Sequence, residues 1–348
     1  MQYNIITEVL HDGQKVTAIK LLNCQKDGIK NIKIHACHYD EDELIYDIDT
    51  NILSMENVDN DVLVKIEPIF LIQWHPEIST NKALKPIYSV YVNDKEVLFH
   101  KRINLLVDEF IKGCAHEINY RLYMPKRDDF KHPLIIWIHG AGEGGLSNET
   151  QITGNEGGVA FAREQNQKLF NGAYVLAPQS SSFWMENFDI GTEILKGKDQ
   201  TKELIALIKD IIKNYSIDED RIYIGGCSMG GYETFKVIIE DPSLFAFAFP
   251  ICAAYKPTLR ELEKIKNIPI WMTHAKADDS VPYSDSLETY NNLKKLNANV
   301  HLSTFDEVIV DGIHYLNHFS WIYALNNMCI DEDGNEFMEY MSKFSKQK

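Results

Sequence analysis

No stretch of the 348 residues holds a run of about 20 apolar side chains, the length a helix needs to cross a bilayer, so no membrane span is expected. The opening MQYNIITEVLHDGQKV carries acidic residues and lacks an apolar h-region, so no secretory signal is visible and the expected location is cytoplasmic. Basic side chains are scarce: 35 Lys and Arg face 51 Asp and Glu, and the net charge of -16 disfavours nucleic acid and anionic surfaces as partners. The six cysteines, at positions 24, 37, 114, 227, 252 and 329, lack framework spacing, and reduced thiols are expected. There is no internal repeat and no low-complexity tract. What is left is ordinary globular composition, 45% hydrophobic and 25% charged, at a length suited to two domains or one large one. Homo-oligomerisation stays open.

The stretch that organises the rest is Arg221 to Thr234, RIYIGGCSMGGYET. Ile222 to Ile224 reads as a short buried strand running into G-x-S-x-G, Gly226 to Gly230, and Tyr232 to Glu240 reads as a helix stopped by Asp241-Pro242. A serine on so tight a strand-to-helix turn adopts strained backbone angles, and the residues two before and two after it must be small. The motif alone is weak; the strand before it and the helix after it make Ser228 a candidate nucleophile.

From Ile5 to about Val107 the pattern is alternation and short runs: Lys15 to Leu22, Asn31 to Cys37, Glu43 to Ile48, Val62 to Ile66, Ile87 to Val92 and Glu96 to His100. Turn signals lie between them, and the spacing predicts a β-sandwich as a separate domain, residues 1–112. The cluster His35-Ala36-Cys37-His38 invites a metal reading, but alternation sends His35 and Cys37 to one face and His38 to the other, so no metal site is expected. Residues 113–348 change to strand-helix alternation, which predicts a mainly parallel sheet covered by helices. Pro133 to His139 and Tyr174 to Ala177 are apolar strands, and Thr201 to Tyr215 carries a helical stripe. Further strands are expected at Phe245 to Cys252, Ile268 to Thr273 and Val300 to Phe305, with a helix near Ser284 to Leu296.

After PLIIWIH comes Gly140-Ala141-Gly142-Glu143-Gly144-Gly145, which satisfies G-x-G-x-x-G. A dinucleotide site would need these glycines to open a helix, whereas LSNETQITGNEGG is rich in turn residues. The competing reading is a loop whose backbone N–H groups face a developing oxyanion, with Ala141 preferred over Gly142 as one donor and Met229, after the serine, as the other. Asp278-Asp279 follows the strand IPIWMT, and Asp278 is the preferred acid. His314 and His318 lie in the loop after the last strand, and His318, at a helix start, is the preferred base. Trp184 in SSSFW reads equally as a substrate-pocket or a core aromatic. Asp331 to Glu336 faintly suggests a calcium loop, but lacks the ligand spacing and reads as a solvated turn.

HGAGEGG, YVLAPQ, RIYIGGCSMGGYET, THAKADDSVP and the H-x-S-W run at His318 together resemble bacterial carboxylesterases of the α/β-hydrolase superfamily. The group it is most similar to carries an N-terminal immunoglobulin-like domain; feruloyl esterases and polyhydroxybutyrate depolymerase-type enzymes are more distant. The likeness covers Glu117 to Lys348; before that it rests on DGQKVTAI and the strand pattern. It implies an α/β-hydrolase fold behind an immunoglobulin-like sandwich, with Ser228 as nucleophile, Asp278 as acid and His318 as base. It also implies backbone donors at Ala141 and Met229, a small-molecule ester substrate and no metal or organic cofactor. Cys227 replaces a larger apolar residue and Ala275 a usual glycine, and neither touches a catalytic atom. The alternative is a serine peptidase of the prolyl-oligopeptidase type. A binding protein with an inert hydrolase half and a dinucleotide oxidoreductase are readings from other classes.

Overall fold

The computed structural model describes residues 1–40, 43–75, 78–189, 191 and 193–346. The chain divides into two units, and the change from one to the other falls between Glu109 and Phe110, with short exchanges at residues 78–80 and 153–155.

Alternation builds the first unit. In Gly13–Leu22 the side chains of Val16, Ile19 and Leu21 are fully buried, while Lys15, Thr17 and Lys20 are only partly covered. Eight strands pair in the order Glu43–Asp49, Ile32–Asp40, Ile87–Val92, Lys95–Asn104, Gln2–Leu10, Gly13–Leu22, Asp61–Phe70, Ile52–Val58. Lys95–Asn104 serves both halves. Its first three residues pair antiparallel with Ile87–Val92, and from Leu98 onward it runs parallel to Gln2–Leu10. One buried cluster draws on both halves, with Ile34, Ala36 and Val90 from one and Val16, Ile19, Val62 and Val64 from the other, which is the packing of a β-sandwich. His35 sets its ring nitrogens 2.9 Å from the carboxylates of Asp47 and Asp49 on the neighbouring strand.

The second unit is built on a sheet of eight strands: β1 (Ile111–Ala115), β2 (Ile118–Tyr123), β3 (His132–Ile138), β4 (Tyr174–Gln179), β5 (Ile217–Cys227), β6 (Phe247–Ile251), β7 (Ile270–Ala275) and β8 (Val300–Phe305). Their order is β1-β2-β4-β3-β5-β6-β7-β8; β1, β2 and β4 pair antiparallel, and every later pairing is parallel. Strand β1 runs across the expected domain boundary at residue 112 and belongs with this sheet.

The central strands are apolar on both faces because helices cover both; every residue of β3 and β6 is buried. Helix α1 (Thr201–Asn214) turns Leu204, Ile205, Leu207, Ile208 and Ile211 inward, each such side chain contributing about 1.5–3 kcal/mol of burial. Helix α2 (Met229–Glu240) follows β5, and α3 (Tyr283–Lys295) follows β7. Parallel strands place their C-terminal ends on one edge of the sheet, so the loops after β3, β5, β7 and β8 gather there. Among the described residues no helix is long and apolar enough to cross a membrane.

Candidate active site

Strand β5 ends at Cys227 and α2 begins at Met229, leaving Ser228 alone in the turn. Its backbone angles, φ 57° and ψ -118°, lie where non-glycine residues cost on the order of 1–3 kcal/mol. Neighbouring backbone holds it there: its N–H donates to the Ile251 carbonyl at 2.9 Å, and its own carbonyl accepts from Tyr232 and Ala254, each at 3.0 Å. The motif's glycines are required by close approach. A Cβ at Gly226 or Gly230 would fall 2.2 or 2.1 Å from the Ile138 carbonyl oxygen at the end of β3. Met229, as the first residue of α2, has an N–H without an intrahelical acceptor.

The loop after β3 is fastened to the end of β4. His139 Nδ1 donates to the Gly140 carbonyl at 2.6 Å, and Nε2 accepts the Ser180 N–H at 3.0 Å. Burial lowers the pKa of this imidazole to about 4, which keeps Nε2 free to accept. Gln179 donates to the Glu143 carbonyl (2.9 Å) and to Thr150 Oγ1 (2.7 Å) and accepts the Asn148 N–H (2.7 Å). Gly145 N–H donates to the Ser180 carbonyl at 2.8 Å. The glycines therefore lead into a 3-10 turn, Ala141–Glu143, not into a helix, and the dinucleotide reading lacks the element it needs. Ala141 opens that turn and is half-buried.

Asp278 and His318 come together across 40 residues of chain: His318 Nδ1 donates to Asp278 Oδ2 at 2.8 Å. Asp278 Oδ1 accepts the N–H groups of Ser280 (2.9 Å) and Val281 (3.0 Å), and Oδ2 also accepts from His274 Nε2 at 3.0 Å. Burial would raise the proton affinity of Asp278, but these hydrogen bonds outweigh it and hold the carboxyl well below its usual range. For His318 burial opposes the charged ring, while Cys252 beside it and the bond to Asp278 prevail and raise its proton affinity. The ring stands edge-on to Trp321, 5.9 Å between centroids, and its side chain is 14% exposed. Asp279 and His314, the other members of the two ambiguous pairs, are exposed to solvent.

Among the described residues, Cys252, Asp278 and His318 place one donor atom each within 4.8 Å of one another. Hydrogen bonds already occupy the carboxylate of that group, so its chemistry is that of an oriented acid–base pair. One imidazole nitrogen is fixed on a carboxylate, which leaves Nε2 to exchange a proton.

Trp184 does not line an open pocket. It is wholly buried in the hydrophobic core with its ring 5.1 Å from His139, so it supports the loop after β3 from beneath. Asp331 turns its carboxylate onto the N–H groups of Asp333 (3.0 Å) and Asn335 (2.8 Å). Three site-building residues escaped the sequence reading. His139 and Gln179 stand inside the quoted motifs, and His274 lies four residues before Asp278; polar side chains in or directly after otherwise apolar strands were the available signal.

Residues 124–311, more than half of the chain, match the family model described as Phospholipase/Carboxylesterase. A solved structure of a thermostable esterase is similar over 99% of this chain and 100% of its own, with 26% identity and a TM-score of 0.83. Poly(3-hydroxyalkanoate) depolymerase C of Paucimonas lemoignei is 27% identical over 124 residues, 34% of this chain. The chain spans about a quarter, 27%, of the length of that curated relative.

Proposed function

The chain belongs to the phospholipase/carboxylesterase family of α/β-hydrolases, and on that premise we propose that it cleaves small carboxylic esters with Ser228 as nucleophile, His318 as general base and Asp278 as the acid that orients it. The observation that carries the proposal is the 2.8 Å bond from His318 Nδ1 to a carboxylate saturated with donors, on the same edge of the sheet as a serine in strained geometry.

Ser228 Oγ attacks the ester carbonyl while His318 Nε2 takes its proton, and the imidazolium formed is stabilised by Asp278. The carbonyl's π pair moves to oxygen, which the N–H groups of Ala141 and Met229 receive. Collapse of the tetrahedral species breaks the C–O bond; the alkoxide leaves with the proton from His318. Water, deprotonated by the same nitrogen, then attacks the acyl carbon; the C–Oγ bond breaks, Ser228 takes the proton back from His318, and the carboxylic acid leaves. The two-layer packing of the first unit supports assigning it to the immunoglobulin-like sandwiches.

The test is turnover of p-nitrophenyl esters from acetate to octanoate, and of a feruloyl ester, by wild type and Ser228→Ala. Loss of several orders of magnitude in the variant is expected, the scale of nucleophile removal in such triads. Absence of turnover on every ester by the wild type refutes the proposal, and cleavage of peptide amides alone would make the chain a peptidase.

A further inference from the structure

We infer that His274 is a positioning residue for the acid of this site, a second imidazole that shares the oxygen of Asp278 on which His318 is held. The inference rests on the triad reading above.

His274 lies in β7, IWMTHA, whose six residues are all buried, and its own side chain is fully enclosed. A buried imidazole is costly unless its polar atoms are satisfied. Nε2 lies 3.0 Å from Asp278 Oδ2 and 3.1 Å from the Val281 carbonyl. Both partners only accept, so Nε2 carries a hydrogen. In the neutral ring Nδ1, 2.7 Å from Ser286 Oγ on α3, accepts the hydroxyl proton. The tautomer is thereby fixed from the far side of the ring, as an outer partner fixes a ligand histidine.

The consequence falls on Asp278. Two backbone N–H groups take Oδ1, and two imidazoles take Oδ2, which uses the acceptor sites of the carboxylate. Oδ2 cannot swing toward His318 without leaving His274, so the second bond fixes the direction in which the base is held. It also draws charge away from the His318 bond. With one donor fewer, Asp278 would hold a protonated His318 more tightly. The titratable groups around this pair are Cys252 against His318 and Tyr283, whose ring stands edge-on to His274 at 5.8 Å.

Two isosteres separate positioning from packing. In His274→Gln the amide nitrogen reaches the place of Nε2 and can donate to Asp278. In His274→Asn it reaches only the place of Nδ1 and meets Ser286. Thermal unfolding, kcat, KM and the pH profile of kcat/KM on a p-nitrophenyl ester are measured for both. The Asn variant is expected to lose about 10- to 100-fold in kcat at unchanged KM, the scale for removing such an outer partner, while Gln stays within about threefold of wild type. The acid limb of the Asn profile moves to higher pH, and that of Gln does not. Folded variants with equal kcat and coincident acid limbs overturn the inference.

If a histidine variant fails to fold, Ser286→Ala carries the test. It frees the ring without removing it and is expected to lower kcat by about 2- to 10-fold, the scale of one hydrogen bond, with the same direction of limb shift. An unchanged kcat and limb in that folded variant overturn the inference equally. Ser228→Ala runs in parallel: ester turnover that survives it refutes the triad itself, a result distinct from any pattern among the His274 variants.

Discussion

Replacing Gly230 by alanine should damage stability and catalysis together, through a single contact. Gly230 is the second residue of α2, and a Cβ there would lie 2.1 Å from the Ile138 carbonyl oxygen and 2.7 Å from that of His139. The first distance is more than 1 Å inside the 3.4 Å at which ordinary contact begins, and both atoms are backbone, with no rotamer to yield. Strand and helix must therefore part. Overpacking of a close contact costs about 1–3 kcal/mol, and the upper half of that range is expected here. At about 2–4 °C per kcal/mol, that lowers Tm by roughly 4–12 °C. The displaced carbonyls belong to the residues just before Gly140 and Ala141, so the proposed donor at Ala141 moves relative to Met229. A misplacement of about 1 Å costs on the order of 100-fold in rate. Calorimetry and kcat/KM on p-nitrophenyl butyrate measure the two effects. Gly28→Ala, where an added Cβ meets nothing within 4 Å, is the control and should stay within about 0.5 kcal/mol of wild type. A Gly230→Ala protein with wild-type Tm and turnover would refute the close approach of β3 and α2.

As the proposed base, His318 must be neutral to act, and its proton affinity is raised, so kcat/KM should climb with pH along an acid limb lying above 6.5, the value of an unperturbed histidine. A limb below that value contradicts the geometry around Asp278. Glu233 is fully buried in α2, accepts from Thr201 Oγ1 at 3.3 Å, and among the described residues Oε1 has no hydrogen-bond partner. Burial, above all, raises its pKa far above 4.5, so the folded state keeps a proton that the unfolded chain releases. Stability from this group is present below pH 4.5 and declines as pH rises toward the folded pKa. Glu233→Gln, neutral and of the same shape, should match wild type in Tm below pH 4.5 and exceed it near neutrality; an equal difference at both pH values would show that Glu233 is not protonated in the fold.

The parallel strands were legible because their apolar runs have one cause, burial on both faces, and β3, β4 and β8 formed where PLIIWIH, YVLA and Val300 to Phe305 placed them. The stripe of α1 was equally plain. Gln2–Leu10 was harder, since five consecutive residues of QYNIITEVL are buried and the period of two is lost. Asp278 and His318 could be ranked over Asp279 and His314 from motif position, but burial separates each pair, and burial depends on where the loops after β7 and β8 come to rest. His274 illustrates the limit best. Inside a strand its imidazole looks like a core residue; only the turn that brings Asp278 back against the strand makes it a donor.

The strand Lys95–Asn104 carries a consequence for how the first unit is made. Its parallel partner is Gln2–Leu10, with Gln2 opposite Leu98 and Thr7 opposite Asn104. As the chain leaves the ribosome, the hairpin of Gln2–Leu10 with Gly13–Leu22 can form early, but one edge of it stays open until about 80 further residues, through Asn104, have emerged. Contacts so distant in sequence form slowly, and an open apolar edge recruits other chains. The interval between synthesis of residue 10 and residue 104 is therefore when this unit is most exposed to mispairing, and slowing translation across it should lower the yield of folded protein.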